Sequence, residues 1–268
     1  MEPVFAVTIT WLVFGLTHVG LATLGIRSRL VARLGEQGFA YFFSGIAAVA
    51  FTLVVATYAG ARFEGPPGPG LGQVPIVREA LIALVVVGVV LMTATFAGYH
   101  EGPYEAGVVD RRFPPPRGLE RVTRHAFFVG LVIFSVAHAL LATKLVGAVF
   151  LLGNAAVAAI GAWHQDRKLL SRFGEPFAAY LRETSAVPFG AILFGRQRLV
   201  WNELPFAAIA AGLALAWGLR SIHEWIFVYG GLGFVAAVLA GVVIIGAVTL
   251  RREAARRRVR RDGFATVS

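Results

Sequence analysis

The sequence predicts an all-α, polytopic integral membrane protein: a helical bundle of about seven transmembrane helices, with the N-terminus outside and the C-terminus inside. Three observations predict it, namely the composition, the long apolar stretches and the distribution of basic residues. Hydrophobic residues make up 57% of the chain and charged residues 15%, and the mean hydropathy is +0.71. Soluble domains carry about 25% charged residues, so this chain has too little polar surface to coat a water-soluble globule.

Seven apolar stretches follow one another along the chain, and each is close to the ~20 residues that cross a bilayer as a helix. None alternates apolar and polar residues as a half-buried strand does. The fourth and fifth are separated by little more than Lys144, which predicts a tight helical hairpin. The sixth is short and begins near Pro205. The stretches cover residues 4–24, 39–59, 80–99, 125–143, 145–163, 204–219 and 225–250.

The basic residues set the predicted orientation. With the N-terminus outside and seven spans, 21 of the 25 Lys and Arg fall on the inner side. Cytoplasmic loops carry such an excess of Lys and Arg, so the net charge of +10 indicates membrane topology rather than nucleic-acid binding. We therefore expect membrane lipids as partners, no nucleic acid, and a multi-pass location in the bacterial inner (plasma) membrane. The outer side keeps Arg62, Arg78, Lys144 and Arg220.

Four segments outside the spans have a distinct composition. Residues 65–70 are rich in Gly and Pro and predict an outer connecting loop. Residues 113–117 contain three consecutive prolines and predict a stiff cytoplasmic spacer. Residues 166–193 are amphipathic and are expected to lie along the inner membrane surface. The Arg-rich tail, residues 251–261, is expected to orient the chain and to bind anionic lipid.

Two of the six histidines, His18 and His138, lie well inside apolar stretches. An ionisable side chain at that depth is costly unless it is satisfied, which makes it a functional candidate. Haem iron takes axial nitrogen ligands from facing helices, and small residues accompany both histidines, which would let a flat macrocycle approach. The alternatives are a histidine hydrogen-bonded to a neighbouring helix and ordinary small-residue helix packing. The small residues are Gly15, Ala22 and Gly25 beside His18, and Gly130 and Ser135 beside His138.

Depth is the obstacle to a shared iron. Counted from the inner face, His138 lies several residues deeper than His18, which is roughly 10 Å for upright helices. Helix tilt or errors in the predicted boundaries could close this gap. The chain has no cysteine, so disulfides, thiolate metal sites and cysteine nucleophiles are excluded.

A second polar cluster is predicted at the inner ends of the third, fourth and fifth spans. Its histidines and carboxylates share one depth, so they could bind a metal ion or serve as interfacial anchors. His223 and Glu224 lie on the outer side, where we expect them to be solvated. The inner cluster comprises His100, Glu101, Arg124, His125, His164 and Asp166.

Motifs spread over about residues 10–195 resemble the NnrU family and, within it, the 15-cis-zeta-carotene isomerases. Residues 1–195 would then form an NnrU-like membrane domain of five spans with its interfacial segment, and residues 196–268 two further spans with a basic tail. The family's usual Arg-His-Pro is here Arg124-His125-Ala126, without the helix-starting proline. The motifs are His18-Val-Gly-Leu-Ala-Thr-Leu, Arg33-Leu-Gly-Glu36, Val122-Thr-Arg-His125, Ala137-His138-Ala-Leu140, Gly161-Ala-Trp-His164-Gln-Asp166, Phe173-Gly-Glu175 and Thr184-Ser-Ala-Val-Pro188.

The resemblance implies an enzyme that uses haem b to isomerise the central cis double bond of a poly-cis carotene without net redox change. Its substrate would be a hydrophobic small molecule within the bilayer. By position, His18 and His138 would be the catalytic haem-iron ligands, and His125 and His164 would support the cofactor site.

Two other functions remain open from the sequence. The segment 169–180, followed by Pro188, also looks like the C-terminal part of isoprenylcysteine-type membrane methyltransferases, which use S-adenosylmethionine. Their acid pair is replaced here by His164-Gln-Asp166. The second alternative is a non-catalytic NnrU-type haem protein related to nitrogen-oxide metabolism.

Overall fold

The computed structural model describes residues 1–98, without the side chains of the last two, and residues 115–229, together with the isolated positions 233, 236 and 240. Within these residues every regular element is helical, so the all-α prediction is confirmed. The α-helices are α1 (Glu2–Ala22), α2 (Leu24–Ala61), α3 (Pro75–Gly98), α4 (Leu119–Val122), α5 (Ala126–Leu141), α6 (Leu145–Phe173), α7 (Glu175–Glu183), α8 (Gly190–Leu193), α9 (Phe206–Ser221) and α10 (His223–Tyr229), with short 3₁₀ helices at Leu71–Gln73 and Trp201–Glu203.

Four of these helices are long and apolar enough to cross a membrane: α1, α2, α3 over Pro75–Phe96, and α6. A fifth candidate is the pair α9 and α10, which meet at an angle of 55°. Helix α5 has 16 residues, fewer than the ~20 that span a bilayer. The count of seven spans and the N-out, C-in orientation stay predictions. Most of the predicted stretch 225–250 and the tail 251–261 lie outside the described residues.

The basic residues at 27–33, which lie between the first two predicted spans, are part of helix α2. The chain leaves α1 at the extended residue Thr23 and is helical again from Leu24. Gly35 then interrupts α2 with φ 71° and ψ 167°, a conformation that glycine adopts without steric cost. The ion pair between Arg27 and Glu36, at 2.6 Å, joins the two sides of this break. The second predicted span therefore corresponds to the part of α2 after Gly35.

Helices α1, α2 and α6 pack around an aromatic core. The Trp11 indole contacts the rings of Phe14, Phe51 and Phe150 at centroid distances of 5.7, 6.1 and 5.9 Å. A Cβ on Gly153 would lie 2.5 Å from this indole, so only glycine fits there. In lipid the hydrophobic effect does not drive helices together, and close packing of this kind holds them instead.

Two glycines allow α3 and α5 to cross in contact. A Cβ on Gly88 would lie 2.6 Å from the carbonyl oxygen of Gly130, and one on Gly130 would lie 2.8 Å from that of Gly88. Helix α9 packs on another part of α3, where a Cβ on Gly212 would lie 2.9 Å from the Cα of Val90. Backbone therefore meets backbone at these crossings, as in other membrane helix pairs with small residues.

The tight hairpin predicted between the fourth and fifth spans is confirmed. Helix α5 ends at Leu141 and α6 begins at Leu145. The Gly- and Pro-rich loop covers this turn, because Gly68 N donates to Thr143 O at 2.9 Å and Leu145 N donates to Pro66 O at 2.9 Å. A Cβ on Gly68 would lie 2.5 Å from a backbone oxygen of the turn, which explains a glycine at that position.

The amphipathic segment 166–193 is divided between α6, α7 and α8. Helix α6 continues beyond the predicted span end at Trp163 as far as Phe173. Gly174, with φ 60°, then turns the chain into the short helix α7. The apolar side chains of the segment pack on one another, with Leu169, Phe177 and Tyr180 forming a small buried cluster. The location of this segment along the inner membrane surface stays a prediction.

Candidate functional site

A cluster of charged residues joins the start of α5 to the C-terminal part of α6. The carboxylate of Asp166 accepts hydrogen bonds from Arg124 Nε and Nη2 at 3.0 and 2.8 Å, both on Oδ2. Its Oδ1 accepts a third hydrogen bond from His125 Nε2 at 2.9 Å. His125 is 4% exposed, and this contact fixes its ring with Nε2 protonated. The arrangement is that of a positioned anchor rather than an open metal site.

Backbone contacts hold this cluster in place. The chain before α5 lies along the segment after α7, where Arg124 N donates to Ser185 O at 2.9 Å and Phe189 N donates to Val122 O at 2.8 Å. The buried Thr123 hydroxyl donates to Ala186 O at 2.7 Å. These bonds position His125 directly before α5 begins.

His164 lies apart from this cluster. Its Nε2 is 3.3 Å from the carbonyl oxygen of Ala22, at the end of α1. The bond ties α6 to an otherwise unsatisfied helix-terminal carbonyl. Of the predicted inner cluster the structure brings together Arg124, His125 and Asp166, while His100 and Glu101 lie outside the described residues. No group of three or more metal-ligating side chains occurs in the part of the chain that is described.

His18 occupies an aromatic slot between α1 and α2. Its ring lies parallel to that of Phe14 at a centroid distance of 5.0 Å and inclined by 38° to that of Phe43 at 4.9 Å. The Nδ1 atom is buried and has no hydrogen-bond partner in the structure. A buried polar atom without a partner is costly, so this nitrogen is suited to a ligand.

His138 lies near the C-terminal end of α5. Its Nδ1 is 3.2 Å from the carbonyl oxygen of Phe134, one turn earlier. A carbonyl oxygen only accepts, so Nδ1 carries the proton and Nε2 keeps a free lone pair. The ring faces His223 of α10 at a centroid distance of 6.1 Å and an angle of 20°. His223 was predicted as a solvated residue; it is exposed, but its ring also contacts His138.

The two predicted haem ligands lie at different depths along α6. A Cβ on Gly15, one turn before His18, would contact Val157, and the Ser135 hydroxyl, one turn before His138, accepts from Asn154. Helix α1 runs parallel to α6, whereas α5 runs antiparallel to it. Counted from these contacts, His18 lies level with Ile160 of α6 and His138 lies level with Leu151. That separation is about 13 Å along the helix axis.

No contact among the described residues joins the two rings. Each histidine taken singly does fit an axial role, because His18 has the unpartnered Nδ1 and His138 the free Nε2. Their joint ligation therefore stays a prediction.

An apolar groove of about 640 Å³ runs between α1 and α6. Its floor is built from small residues, among them Gly15, Gly20, Gly153 and Ala156. His18 itself does not line the groove, although the next two residues, Val19 and Gly20, do. The His18 side chain therefore lies on a neighbouring face of α1. Ligand pockets commonly have this size and an apolar lining. The other lining residues are Thr8, Trp11, Leu12, Leu16, Val19, Val149, Leu152, Val157 and Ile160.

Charged contacts also fix the segment that leads to α9. Arg121 donates from Nε and Nη2 to the two oxygens of Glu203 at 2.8 and 3.1 Å, and Gly118 N donates to the same carboxylate at 2.9 Å. These donors hold the pKa of Glu203 down at about 2. Burial raises the pKa of the neighbouring Glu120 carboxyl, against hydrogen bonds from Arg117 N and the Tyr180 hydroxyl that lower it.

Sequence reasoning missed three partners of the histidines. Phe14 and Phe43 form the slot around His18, and His223 faces His138. The spacing of Phe14 one turn before His18 could have indicated the first contact. The other contacts join distant parts of the chain, for which the sequence carries no direct signal.

Comparison with known proteins places these features in a family. The family described as NnrU protein matches residues 6–231. A protein of Arabidopsis thaliana named "15-cis-zeta-carotene isomerase, chloroplastic" is 33% identical over 224 residues, which is 78% of this chain and 58% of that protein. A Zea mays protein of the same name is 29% identical over 211 residues, 74% of this chain and 55% of that protein. The chain thus spans less than two thirds of the length of either relative, and no solved structure matches it significantly.

Proposed function

We propose, from the premise that the chain belongs to the NnrU protein family, that it is a membrane cis–trans isomerase of a carotenoid-like polyene. Two plant relatives that match most of this chain are named 15-cis-zeta-carotene isomerase, and this is the observation that carries the proposal. Both are also named as chloroplastic, so a location in the bacterial inner membrane stays a prediction for this chain.

The groove between α1 and α6 is the proposed polyene site. It follows α1 from Thr8 to Gly20, a length of about 18 Å. Its lining is apolar except for Thr8, whose hydroxyl is already bonded to Val4 O at 2.8 Å. A substrate dissolved in the bilayer could therefore enter from the side without exposing a polar group to lipid.

The small residues of the groove suit a rotation about a double bond. A polyene sweeps extra volume when one half turns against the other, and side chains larger than Gly or Ala would obstruct it. Gly15 and Gly20 leave that space along α1, because an added Cβ at either position would meet nothing closer than 3.8 Å. The apolar walls also exclude water, which protects an electron-deficient polyene from addition reactions.

Haem b is the proposed cofactor, with His18 or His138 as a single axial ligand. When bound, it would supply an iron centre able to draw electron density from a conjugated chain. His18 directly precedes Val19 and Gly20, which line the groove, and its unpartnered Nδ1 is the atom available for a ligand. His125 and His164 would act as positioning residues, since their rings are tied to Asp166 and to Ala22 O.

The test is conversion of 15-cis-zeta-carotene by the purified full chain in liposomes, followed by separation of the isomers. The expected result is that the isomer with a trans central double bond accumulates only when the protein is present, with no change in mass. Protein that binds S-adenosylmethionine and leaves the carotene unchanged would replace this proposal with the methyltransferase. Protein that binds haem but converts no cis-carotene would point to the non-catalytic family role.

A further inference from the structure

Basic residues lie beyond one end of the groove between α1 and α6. The groove ends at Gly20 of α1 and Ile160 of α6, the last residues that line it. One turn further along α6, His164 Nε2 lies 3.3 Å from Ala22 O and joins the two helices. The basic residues of α6 begin directly after this contact, at Arg167.

The face of α6 that lines the groove continues to Trp163 and Arg167. These residues follow Ile160 by three and seven positions, a spacing that keeps side chains on one helix face. The Trp163 ring is exposed, and the guanidinium carbon of Arg167 lies 4.8 Å from its centroid. Tryptophan is enriched where a membrane meets water, and a guanidinium suits the oxygens of a phosphate. This pair therefore marks the level at which a lipid headgroup would begin.

Two further helix segments bring cations to the same place. Lys168 lies close enough to Arg27 of α2 and to Arg172 to interact electrostatically with both. The Arg27 guanidinium lies 5.3 Å from the centroid of Phe39 and 2.6 Å from the carboxylate of Glu36. Four cations thus share the Glu36 carboxylate, which leaves positive charge uncompensated. We refer to Arg27, Arg167, Lys168 and Arg172 as the basic cluster.

The carboxylates that flank the cluster in the sequence are engaged elsewhere. Asp166 pairs with Arg124 at 2.8 Å, and Glu175 pairs with Arg182. An anion from outside the chain would therefore complement the basic cluster.

The length and lining of the groove indicate what fills it in a bilayer. Water does not, because a buried water needs polar partners and the Thr8 hydroxyl is already bonded to Val4 O. Hydrocarbon from the bilayer can enter from the side. The groove is about 18 Å long, close to half of the ~30 Å hydrocarbon core and hence to one leaflet. An acyl chain lying in it would place its headgroup beside the basic cluster.

We propose that the groove and the basic cluster form one binding site for an anionic phospholipid. The phosphate lies among the four cations, and one acyl chain lies between α1 and α6. The chemistry fits, since basic pockets beside membrane helices bind anionic headgroups. The inference goes beyond the isomerase proposal, and either can fail without the other because lipid binding is measured without carotene.

The first experiment titrates the full chain in detergent with two lipids that share their acyl chains, dioleoylphosphatidylglycerol and dioleoylphosphatidylcholine, and counts the bound lipids by native mass spectrometry. One phosphatidylglycerol should bind at least about tenfold more tightly than phosphatidylcholine, because several cations face its phosphate. Inorganic phosphate in large excess should not displace it, because phosphate lacks the acyl chain that occupies the groove.

The charge-removing variants test the cluster itself. Arg167→Gln and Lys168→Gln should each weaken phosphatidylglycerol binding about fivefold, the contribution of one cation at an anionic membrane surface, and leave phosphatidylcholine binding unchanged. The matched control is Arg29→Gln, which removes the same charge two residues after Arg27, where side chains do not face the same side. All three residues are exposed, so unaltered thermal unfolding is expected.

The second experiment locates the acyl chain. Phosphatidylglycerol with a photoreactive diazirine near the end of one chain is bound and irradiated, and the labelled peptides are sequenced. The expected labels fall on residues 8–16 of α1 and 149–157 of α6, which line the groove. Ala156→Phe, which fills the groove, should lower this labelling, whereas Ala210→Phe on the exposed face of α9 should not.

The site is refuted if the two lipids bind the unaltered protein equally well. Equal weakening by Arg29→Gln and Lys168→Gln would show a general effect of charge and would also overturn it. Displacement of the lipid by inorganic phosphate would replace the lipid site with a small-anion site. Labels confined to α3 or α9 would contradict the placement of the acyl chain in the groove.

Discussion

The carboxylate of Asp166 lies 2.9 Å from Nε2 of His125, a ring that is almost completely buried. Its second oxygen takes two hydrogen bonds from Arg124. One carboxylate therefore compensates a guanidinium and orients an imidazole at the junction of two helices. The role of this cluster is to hold α5 against α6, so its removal should lower the free energy of unfolding.

Asp166→Asn should lower the free energy of unfolding by about 3 kcal/mol, because breaking a partly buried ion pair leaves the Arg124 charge without compensation. Thermal unfolding in detergent would measure this as a lower Tm. The matched control is Glu175→Gln, which removes an exposed ion pair with Arg182 and should cost less than about 1 kcal/mol. Equal losses in the two variants would contradict the anchoring role.

Stability should depend on the ionisation of Glu203 in acid. Its folded-state pKa of about 2 lies below the ordinary value of 4.5, so its ionised form is favoured by folding. The contribution is complete above pH 4.5 and is lost as the pH falls towards about 2. Thermal unfolding of the unaltered protein and of Glu203→Gln should therefore differ near neutral pH and converge near pH 2. A difference that stays constant over this range would contradict the prediction.

Gly88→Ala should destabilise the bundle by about 1–3 kcal/mol, the cost of overpacking a close contact. The added methyl group would lie 2.6 Å from the Gly130 oxygen and would push α3 and α5 apart. Gly45 of α2 has open space around a Cβ, so Gly45→Ala should be neutral or slightly stabilising. Both are measured by thermal unfolding, and equal behaviour would exclude the proposed helix crossing.

His18→Phe separates the ring nitrogen from the packing of His18. A phenyl ring can still lie between Phe14 and Phe43, so the unfolding temperature should stay close to that of the unaltered protein. Isomerisation of 15-cis-zeta-carotene should fall at least about tenfold, the scale on which loss of a group that binds or tunes a metal acts. Full activity in this variant would remove His18 from the site.

The sequence predicted those parts of the fold that depend on local composition. The hairpin around Lys144 and the Gly-Pro loop at residues 65–70 were predicted from adjacent apolar stretches and turn residues. The end of α6 was misplaced because hydropathy falls at Trp163 while the helical period continues to Phe173. Gly174, with φ 60°, was the available signal for the true end.

The candidate site was predictable only in its residue types. A histidine inside an apolar stretch can be recognised in the sequence, but its partner depends on which helices become neighbours. The contact between His138 and His223 joins α5 to α10, and the distance between His18 and His138 depends on how α1 and α5 register against α6. Neither the choice of neighbours nor the register is encoded in local periodicity.

The central claim is that the groove between α1 and α6 holds the polyene while it isomerises. The most direct measurement is the initial rate of 15-cis-zeta-carotene isomerisation in liposomes by Ala156→Phe, whose side chain would fill the groove. The control is Ala210→Phe, on the exposed face of α9. When equal amounts of folded protein are compared, the account predicts a loss of activity in Ala156→Phe and an unchanged rate in Ala210→Phe. Equal rates in Ala156→Phe and the unaltered protein would contradict it.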